Sequence, residues 1–245
     1  MISADGEIVE FGKPVKINHQ KGVEGWLKEV RDAMVETVKR RIREASSDLN
    51  KETTIRQEWV LRHCGQAIAV VSMLNWTESV EAAILDMEED PFALGELQKD
   101  SIANMMGLVE LIRGTDLLAV QRKSLTALIT HEVHNRDIIE ELTNEGVELL
   151  DDFHWKRCLR YYLEEETVVV RQVNATLRYG YEYMGVTSRL VITPLTDRCW
   201  LTITGALHIK LGASPKGPAG TGKTESTKDL AKGLGIFCLV FNCSD

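Results

Sequence analysis

No stretch of this 245-residue sequence approaches the ~18 consecutive apolar residues that a membrane-spanning helix needs. The opening residues, MISADGEIVEFGK, lack the basic and apolar segments of a secretory leader. Cysteine is sparse: five thiols, at 64, 158, 199, 238 and 243, are scattered and odd in number. That argues against a disulfide framework and for a reducing compartment, the cytosol or a structure continuous with it. Basic charge is short too. With 29 Lys and Arg against 37 Asp and Glu, the formal charge is −8, whereas a general nucleic-acid binder wants a basic face. Neither a Gly/Ser-rich linker nor a tandem repeat is visible. What remains is ordinary globular composition, 44% apolar and 27% charged, in a length that holds one large domain or two modest ones.

The first part of the chain reads as helices. Gly6, Gly12 and Pro14 break any helix before residue 22, so 1–21 is expected to be an extended lead-in. Val23, Trp26, Leu27, Val30, Met34, Val38, Ile42 and Leu49 then recur at helical spacing and predict one amphipathic helix over 23–49. Its other face carries Lys39, Arg40, Arg41 and Arg43, read as a solvated face rather than a dock for an acidic filament. A second helix is expected over 54–74, with Ile55, Trp59, Cys64, Ile68 and Val71 inward and Trp76-Thr77 interrupting it. A shorter one follows, with Val80, Ala83, Ile84 and Met87 on one face. The acidic group Asp86, Glu88, Glu89 and Asp90 lacks EF-hand spacing and is expected in solvent. Helices over 93–113 and 116–143, parted by Gly114, should pack as antiparallel neighbours. In the later one, His131 and His134 are three residues apart, where a zincin needs four. Asn135 likewise breaks a kinase H-R-D, so the segment reads as an exposed helical face.

Near 150 the pattern changes. Phe153, Trp155, Leu159, Tyr161, Tyr162 and Leu163 predict a short aromatic helix ended by Glu164-Glu165-Glu166, and Val168–Val170 begin a β segment. From Val173 to Tyr183 alternation is strict: Val173, Ala175, Leu177, Tyr179, Tyr181 and Tyr183 share one side. That predicts a half-buried strand, a hairpin, or a strand bent at Gly180. Its tyrosines are read as core rather than as a stacking platform for bases. Residues 186–199 follow as an apolar loop around Pro194, then a helix over 200–211.

The most specific stretch is Gly217-Pro218-Ala219-Gly220-Thr221-Gly222-Lys223-Thr224, which satisfies G-x-x-x-x-G-K-[ST] at every fixed position. Cradling a triphosphate requires several backbone N–H groups turned toward one anion, which glycines allow without Cβ clashes. It also requires a cation for the β/γ-phosphates, here Lys223, and a small hydroxyl for Mg²⁺, here Thr224. A chance match in a chain of this length has a probability of roughly one in a hundred at average glycine usage. A helix is expected over 223–234, with Gly235 as the residue that ends it. Ile236–Phe241 should then be a strand buried in a parallel sheet. Residues 211–216 offer only a weak strand before the loop. No apolar strand ending in Asp-Glu follows Thr224, so these residues are expected to bind nucleotide without turning it over.

Together these blocks resemble a dynein heavy chain of the axonemal kind. The resemblance runs through Tyr179–Tyr183, Arg189–Cys199, Gly205–His208, Gly217–Thr224, Lys228–Lys232 and Phe241-Asn242-Cys243-Ser244-Asp245. More loosely, it includes Val23–Leu27, Trp76-Thr77 with Glu81, and His134–Asp137. It implies a mainly α fold: a helical-bundle linker with a small β-hairpin region over 1–178, then an incomplete α/β P-loop (AAA+) module over 179–245. It implies ATP or ADP with Mg²⁺ as cofactors. The implied contacts are Gly217, Pro218, Ala219, Gly220, Thr221, Gly222, Lys223, Thr224 and Glu225 on the phosphate side, with Thr224 on the metal. On the adenine side they are Leu190, Val191, Ile192, Pro194 and Leu195. The Walker B acids and sensors belong to residues not in this sequence. Implied partners are the rest of the heavy-chain ring, microtubules through a stalk, and intermediate and light chains, with neither nucleic acid nor membrane. The implied setting is the cytoskeleton of a cilium or flagellum, where nucleotide-driven linker movement powers minus-end-directed motion. The competing reading is a non-catalytic helical adaptor or short isoform with an unused P-loop.

Overall fold

The structure is a computed structural model that describes residues 1–17, 22–114, 116–186 and 189–243. Residues 18–21 of the lead-in, 187–188 of the apolar loop, and Ser244-Asp245 of the last resemblance block lie outside the described residues. In chain order the elements are α1 (Gly22–Leu49), α2 (Arg56–Arg62), α3 (Gly65–Asp86), α4 (Ala93–Gly114), α5 (Ala119–Asn144) and α6 (Phe153–Lys156). Then come β1 (Arg160–Glu164), β2 (Thr167–Gln172), β3 (Ala175–Arg178), α7 (Pro194–His208) and α8 (Lys223–Gly233). The protein is thus mainly helical, with one small antiparallel sheet in the order β1-β2-β3.

Helix α3 is the axis. It buries a broad apolar face and leaves a stripe at Asn75, Glu78, Ala82 and Leu85 exposed, and so broad a face needs neighbours on several sides. By length and composition it could cross a membrane. Here α1, α4, α5 and β1 pack against it and bury Ala67, Ile68, Val71, Val80 and Ile84. Trp76 and Thr77 do not interrupt it. The Thr77 hydroxyl donates to Met73 O within the helix (2.9 Å), and its oxygen accepts the Tyr161 N–H of β1 (3.0 Å). The residue that looked like a breaker joins helix to sheet.

The break falls earlier, at His63-Cys64, where the backbone is extended and α2 separates from α3. Gly65 begins α3 by donating its N–H to Glu7 Oε1 (2.7 Å), while Tyr183 OH donates to Glu7 Oε2 (3.0 Å). A carboxylate at a helix N-terminus satisfies an orphan amide and opposes the helix dipole. The lead-in is therefore built in rather than loose: Ile2 and Ile8 form a bridge, and Glu7 and Val9 are buried. In α1 the inward face holds from Val38 and Ile42, but Val23 and Leu27 are exposed.

The aromatic segment splits. Only Phe153–Lys156 is helical; Tyr161 and Tyr162 pair with Val170 and Val169 as β1 and β2. Glu165 and Glu166, at φ 45° and 62°, form the two-residue turn between them. Two positive φ values suit the right-handed twist of a tight hairpin. The next turn, at Val173 (φ 49°), shortens the long expected strand to β3. Its alternation persists beyond β3 as burial, with Ala175, Tyr179 and Tyr181 inside and Thr176, Arg178 and Gly180 outside. Helix α7 starts at Pro194 rather than Trp200, because the Thr193 side chain accepts the Thr196 N–H (3.3 Å) and proline suits the first turn. It ends at His208.

Two corrections bear on function. Ile236–Phe241 form no strand, and no parallel sheet exists among the described residues. Phe237, Leu239 and Phe241 are exposed: a β-strand needs flanking backbone partners, and among the described residues none hydrogen-bonds to the backbone of 237–241. The His131 segment is not an exposed face either: His131, Glu132 and Asn135 are buried, with Arg56 paired to Glu132.

Burial drives the His131 imidazole well below its usual pKa, with Arg189 and His134 adding to the effect. Burial likewise lowers His134 to about 4, against the opposing pull of Asp137. Asp197, 3.9 Å from His134, is raised by burial to about 6. The unfolded chain protonates both histidines near pH 6.5, and the folded chain does so only at lower pH. Acidification from about pH 6.5 to about 4 therefore costs the fold roughly 1.4 kcal/mol per pH unit at His134, and His131 acts in the same direction. Proton uptake at folded Asp197 has the opposite sign. Urea denaturation at pH 7 and pH 5 should show His134→Gln gaining on the wild type as pH falls; a pH-independent difference would refute this assignment.

Candidate nucleotide-binding site

The loop from Gly217 to Gly222 is exposed and irregular, and α8 begins directly after it. Gly220 (φ 78°) and Gly222 (φ 76°) are left-handed, conformations that L side chains adopt only under strain. Gly222 is the N-cap of α8, and its carbonyl accepts the Ser226 N–H (2.8 Å). Among the described residues, the backbone N–H groups of Gly220 through Glu225 donate to no protein acceptor. Open amides at a helix start form an anion site by geometry and by dipole.

Lys223 Nζ turns back on the loop, donating to Gly217 O (2.9 Å) and to Pro218 O, and lies 3.3 Å from Thr221 Oγ1. Thr221 Oγ1 also donates to Pro218 O (2.9 Å). The ammonium thus sits inside the curl of the loop, held by carbonyl dipoles. Thr224 and Glu225 are exposed; an ion pair with Lys228 (2.8 Å) lowers the Glu225 pKa. This set fits a magnesium-bound triphosphate: a cation, a row of open amides, a hydroxyl, and glycines at the positive-φ positions.

The apolar segment expected on the adenine side lies along the same helix. Arg189 Nε is 3.0 Å from Asp229 Oδ1 of α8, and both side chains are nearly inaccessible. Leu190 N–H reaches the same oxygen at 3.5 Å. Beyond it Val191 and Leu195 are each 77% exposed, Ile192 is partly buried, and Pro194 opens α7. Trp200 Nε1 then donates to Ser226 O (3.0 Å), bringing α7 back onto α8. The opposite end of α8 is fastened to the sheet. Tyr161 OH donates to Gly233 O (2.8 Å), Gly180 N–H to Leu234 O (2.9 Å) and Glu182 N–H to Gly235 O (2.9 Å).

Arg189, Asp229 and Trp200 escaped the reading of the sequence as site-shaping residues. A signal was present: Asp229 stands beside Leu230 on the face of α8 that also holds Gly233, and a carboxylate on a buried face requires a partner.

With this geometry, residues 179–245 match the family described as the hydrolytic ATP binding site of the dynein motor region. Similarity to individual proteins extends over the whole chain. It is 41% identical over 249 residues to dynein axonemal heavy chain 2 of Homo sapiens, and 43% over 249 to dynein axonemal heavy chain 6 of the same organism. It is 45% identical over 245 residues to dynein axonemal heavy chain 1 of Mus musculus. Each alignment covers 100% of this chain and 6% of the relative's length. Over its whole length the chain is thus similar to one segment of the axonemal dynein heavy chains.

Proposed function

We propose that the chain carries the nucleotide-binding half of a dynein motor site. Gly220–Thr224 amides and Lys223 would hold the phosphates of ATP or ADP, Thr224 would face Mg²⁺, and Leu190–Leu195 would lie against the base. The observation that carries this reading is the row of open amides at the start of α8 with the Lys223 ammonium curled beside them. Magnesium, when bound, would supply charge neutralisation at the phosphates. The protein's own part is to present donors, to exchange Lys223 from loop carbonyls to phosphate oxygens, and to hold the segment that covers the base. Residues 1–178 form the helical linker on this reading, and 179–245 the start of the first AAA+ module. The fastening of α8 to the sheet supports passage of nucleotide state into the helical part. The whole motor's ATP hydrolysis, its movement on microtubules, its ring and light-chain partners, and its place in the cilium or flagellum belong to the same proposal.

Titration of the chain with ATP in the presence of Mg²⁺ tests it. A charge-assisted contact is worth about 1.5–3 kcal/mol, so Lys223→Ala should weaken binding about tenfold or more. Equal affinity in both proteins would refute the role of Lys223 and favour a helical adaptor with an unused loop.

A further inference from the structure

The segment that would cover the base is attached to the P-loop helix at both of its ends, and both attachments are hydrogen-bonded or charged. At one end Asp229 takes the buried Arg189 guanidinium and approaches the Leu190 N–H. At the other, Trp200, itself buried, donates to Ser226 O one turn earlier on the same helix. Helix α7 fixes the backbone from Pro194 onward, which leaves residues 190–193 to be placed. Within this stretch Ile192 packs in part against the core, while Val191 and Leu195 are largely exposed, so their own packing supplies one contact at most.

We propose that the Arg189–Asp229 pair, seconded by Trp200–Ser226, is a positioning device that sets Leu190–Leu195 over α8 and thereby governs grip on the base of a nucleotide rather than on its phosphates. This rests on the nucleotide-binding reading of the P-loop given above. A buried ion pair is a weak source of net stability, because desolvation offsets most of its Coulomb energy. The pair meets through charge, Arg189 Nε lying 3.0 Å from Asp229 Oδ1 without hydrogen-bond geometry, and its specificity comes from the cost of leaving either buried charge alone. Both anchors converge on α8, the helix whose first turn bears Lys223, so base side and phosphate side share one rigid frame. Preorganising a binding segment raises affinity by removing the ordering cost on binding. That gain is available only to ligands that touch the segment. Neither Arg189 nor Asp229 need touch the ligand; both act through the backbone that follows Arg189.

The test compares two ligands, Mg-ATP and magnesium tripolyphosphate, which share the phosphate chain and differ in the nucleoside. Binding is measured by calorimetry to wild type, Asp229→Asn, the paired Arg189→Leu/Asp229→Leu, Trp200→Phe and Lys223→Ala. The paired variant removes both charges, so no lone buried charge is left to unfold the protein. The expected result is a loss of about tenfold for ATP in the Asp229 and paired variants, and a smaller loss in Trp200→Phe. Tripolyphosphate affinity should stay within about twofold in all three, whereas Lys223→Ala should weaken both ligands. Parallel losses for the two ligands, or no loss for ATP, would overturn the proposal. Should the variants fail to fold, hydrogen exchange on the wild type decides. ATP should slow the amides of Leu190–Ile192 beyond the effect of tripolyphosphate, and equal slowing overturns the proposal. A wild type that binds neither ligand overturns the P-loop reading itself, and this inference with it. A wild type that binds both, with Lys223 required, leaves the P-loop reading standing whatever the Asp229 variants do.

Discussion

Trp155→Ala should lower the unfolding free energy by about 3–5 kcal/mol, the range for deleting a large aromatic from a packed core. Trp155 is fully buried at the junction of α3, α6 and the sheet. Its ring centroid is 5.5 Å from that of Trp76, tilted by 59°, and the Arg160 guanidinium sits 5.8 Å from its centre. The indole Nε1 donates to Glu81 Oε1 (3.3 Å), which also takes the Tyr162 hydroxyl (2.6 Å). Truncation therefore removes apolar contact, leaves Glu81 with one donor fewer, and takes from the buried Arg160 one of its aromatic faces. Urea denaturation would measure it, with an unchanged slope showing that the same surface is exposed on unfolding. Trp155→Phe, which keeps a ring but not the N–H, should lose less. A loss below about 1 kcal/mol for the alanine variant would mean that the cavity collapses or fills at little cost.

Gly235→Ala should be the most damaging of the glycine substitutions around α8, at about 2–4 kcal/mol from left-handed strain plus overpacking. Gly235 has φ 63°, and an added Cβ would stand 2.5 Å from the Tyr179 ring. That ring cannot swing away freely: Tyr179 is buried, and its hydroxyl accepts a bond from Gln66 Nε2 (3.0 Å). On the facing strand segment, a Cβ at Gly180 would meet Gly235 O at 2.5 Å, so both glycines are there for close backbone approach. Thermal melts would read the loss. Faster hydrogen exchange at the Gly180 and Glu182 amides, which bond to Leu234 O and Gly235 O, would locate it. Alanine tolerated at 235 with both amides still protected would show that the ring and the helix end move together.

Much of this arrangement was legible in the residues. The P-loop motif located the start of α8, and Gly235 its end, because both rest on local backbone demands that the sequence states directly. The periodicity of α1, α4 and α5 was plain for the same reason. Tertiary partners decided the rest. Thr77 reads as a helix breaker until the Tyr161 N–H it accepts is known. Tyr161 and Tyr162 fit a helix or a strand until Val169 and Val170 lie beside them. His131 looks solvent-facing on its own helix, yet α3 and Arg189 cover it. Ile236–Phe241 show the converse case: their composition is that of a buried strand, but burial requires neighbours, and these residues remain exposed. For the site itself, the phosphate side was readable as a motif. The Arg189–Asp229 pair was not, since a single sequence does not say which of many charges meet.

Three hydrogen bonds, from Tyr161, Gly180 and Glu182, pin the C-terminal end of α8. Eleven residues of helix make an arm of about 16 Å. If the fastened end stays put, tilting that arm by about 10° carries the Lys223 end through roughly 3 Å. The same relation would run in reverse: a displacement of hydrogen-bond size at the loop would reach the sheet as a small rotation. Glycines 180 and 235 sit at the pinned end, where an added Cβ would have no room.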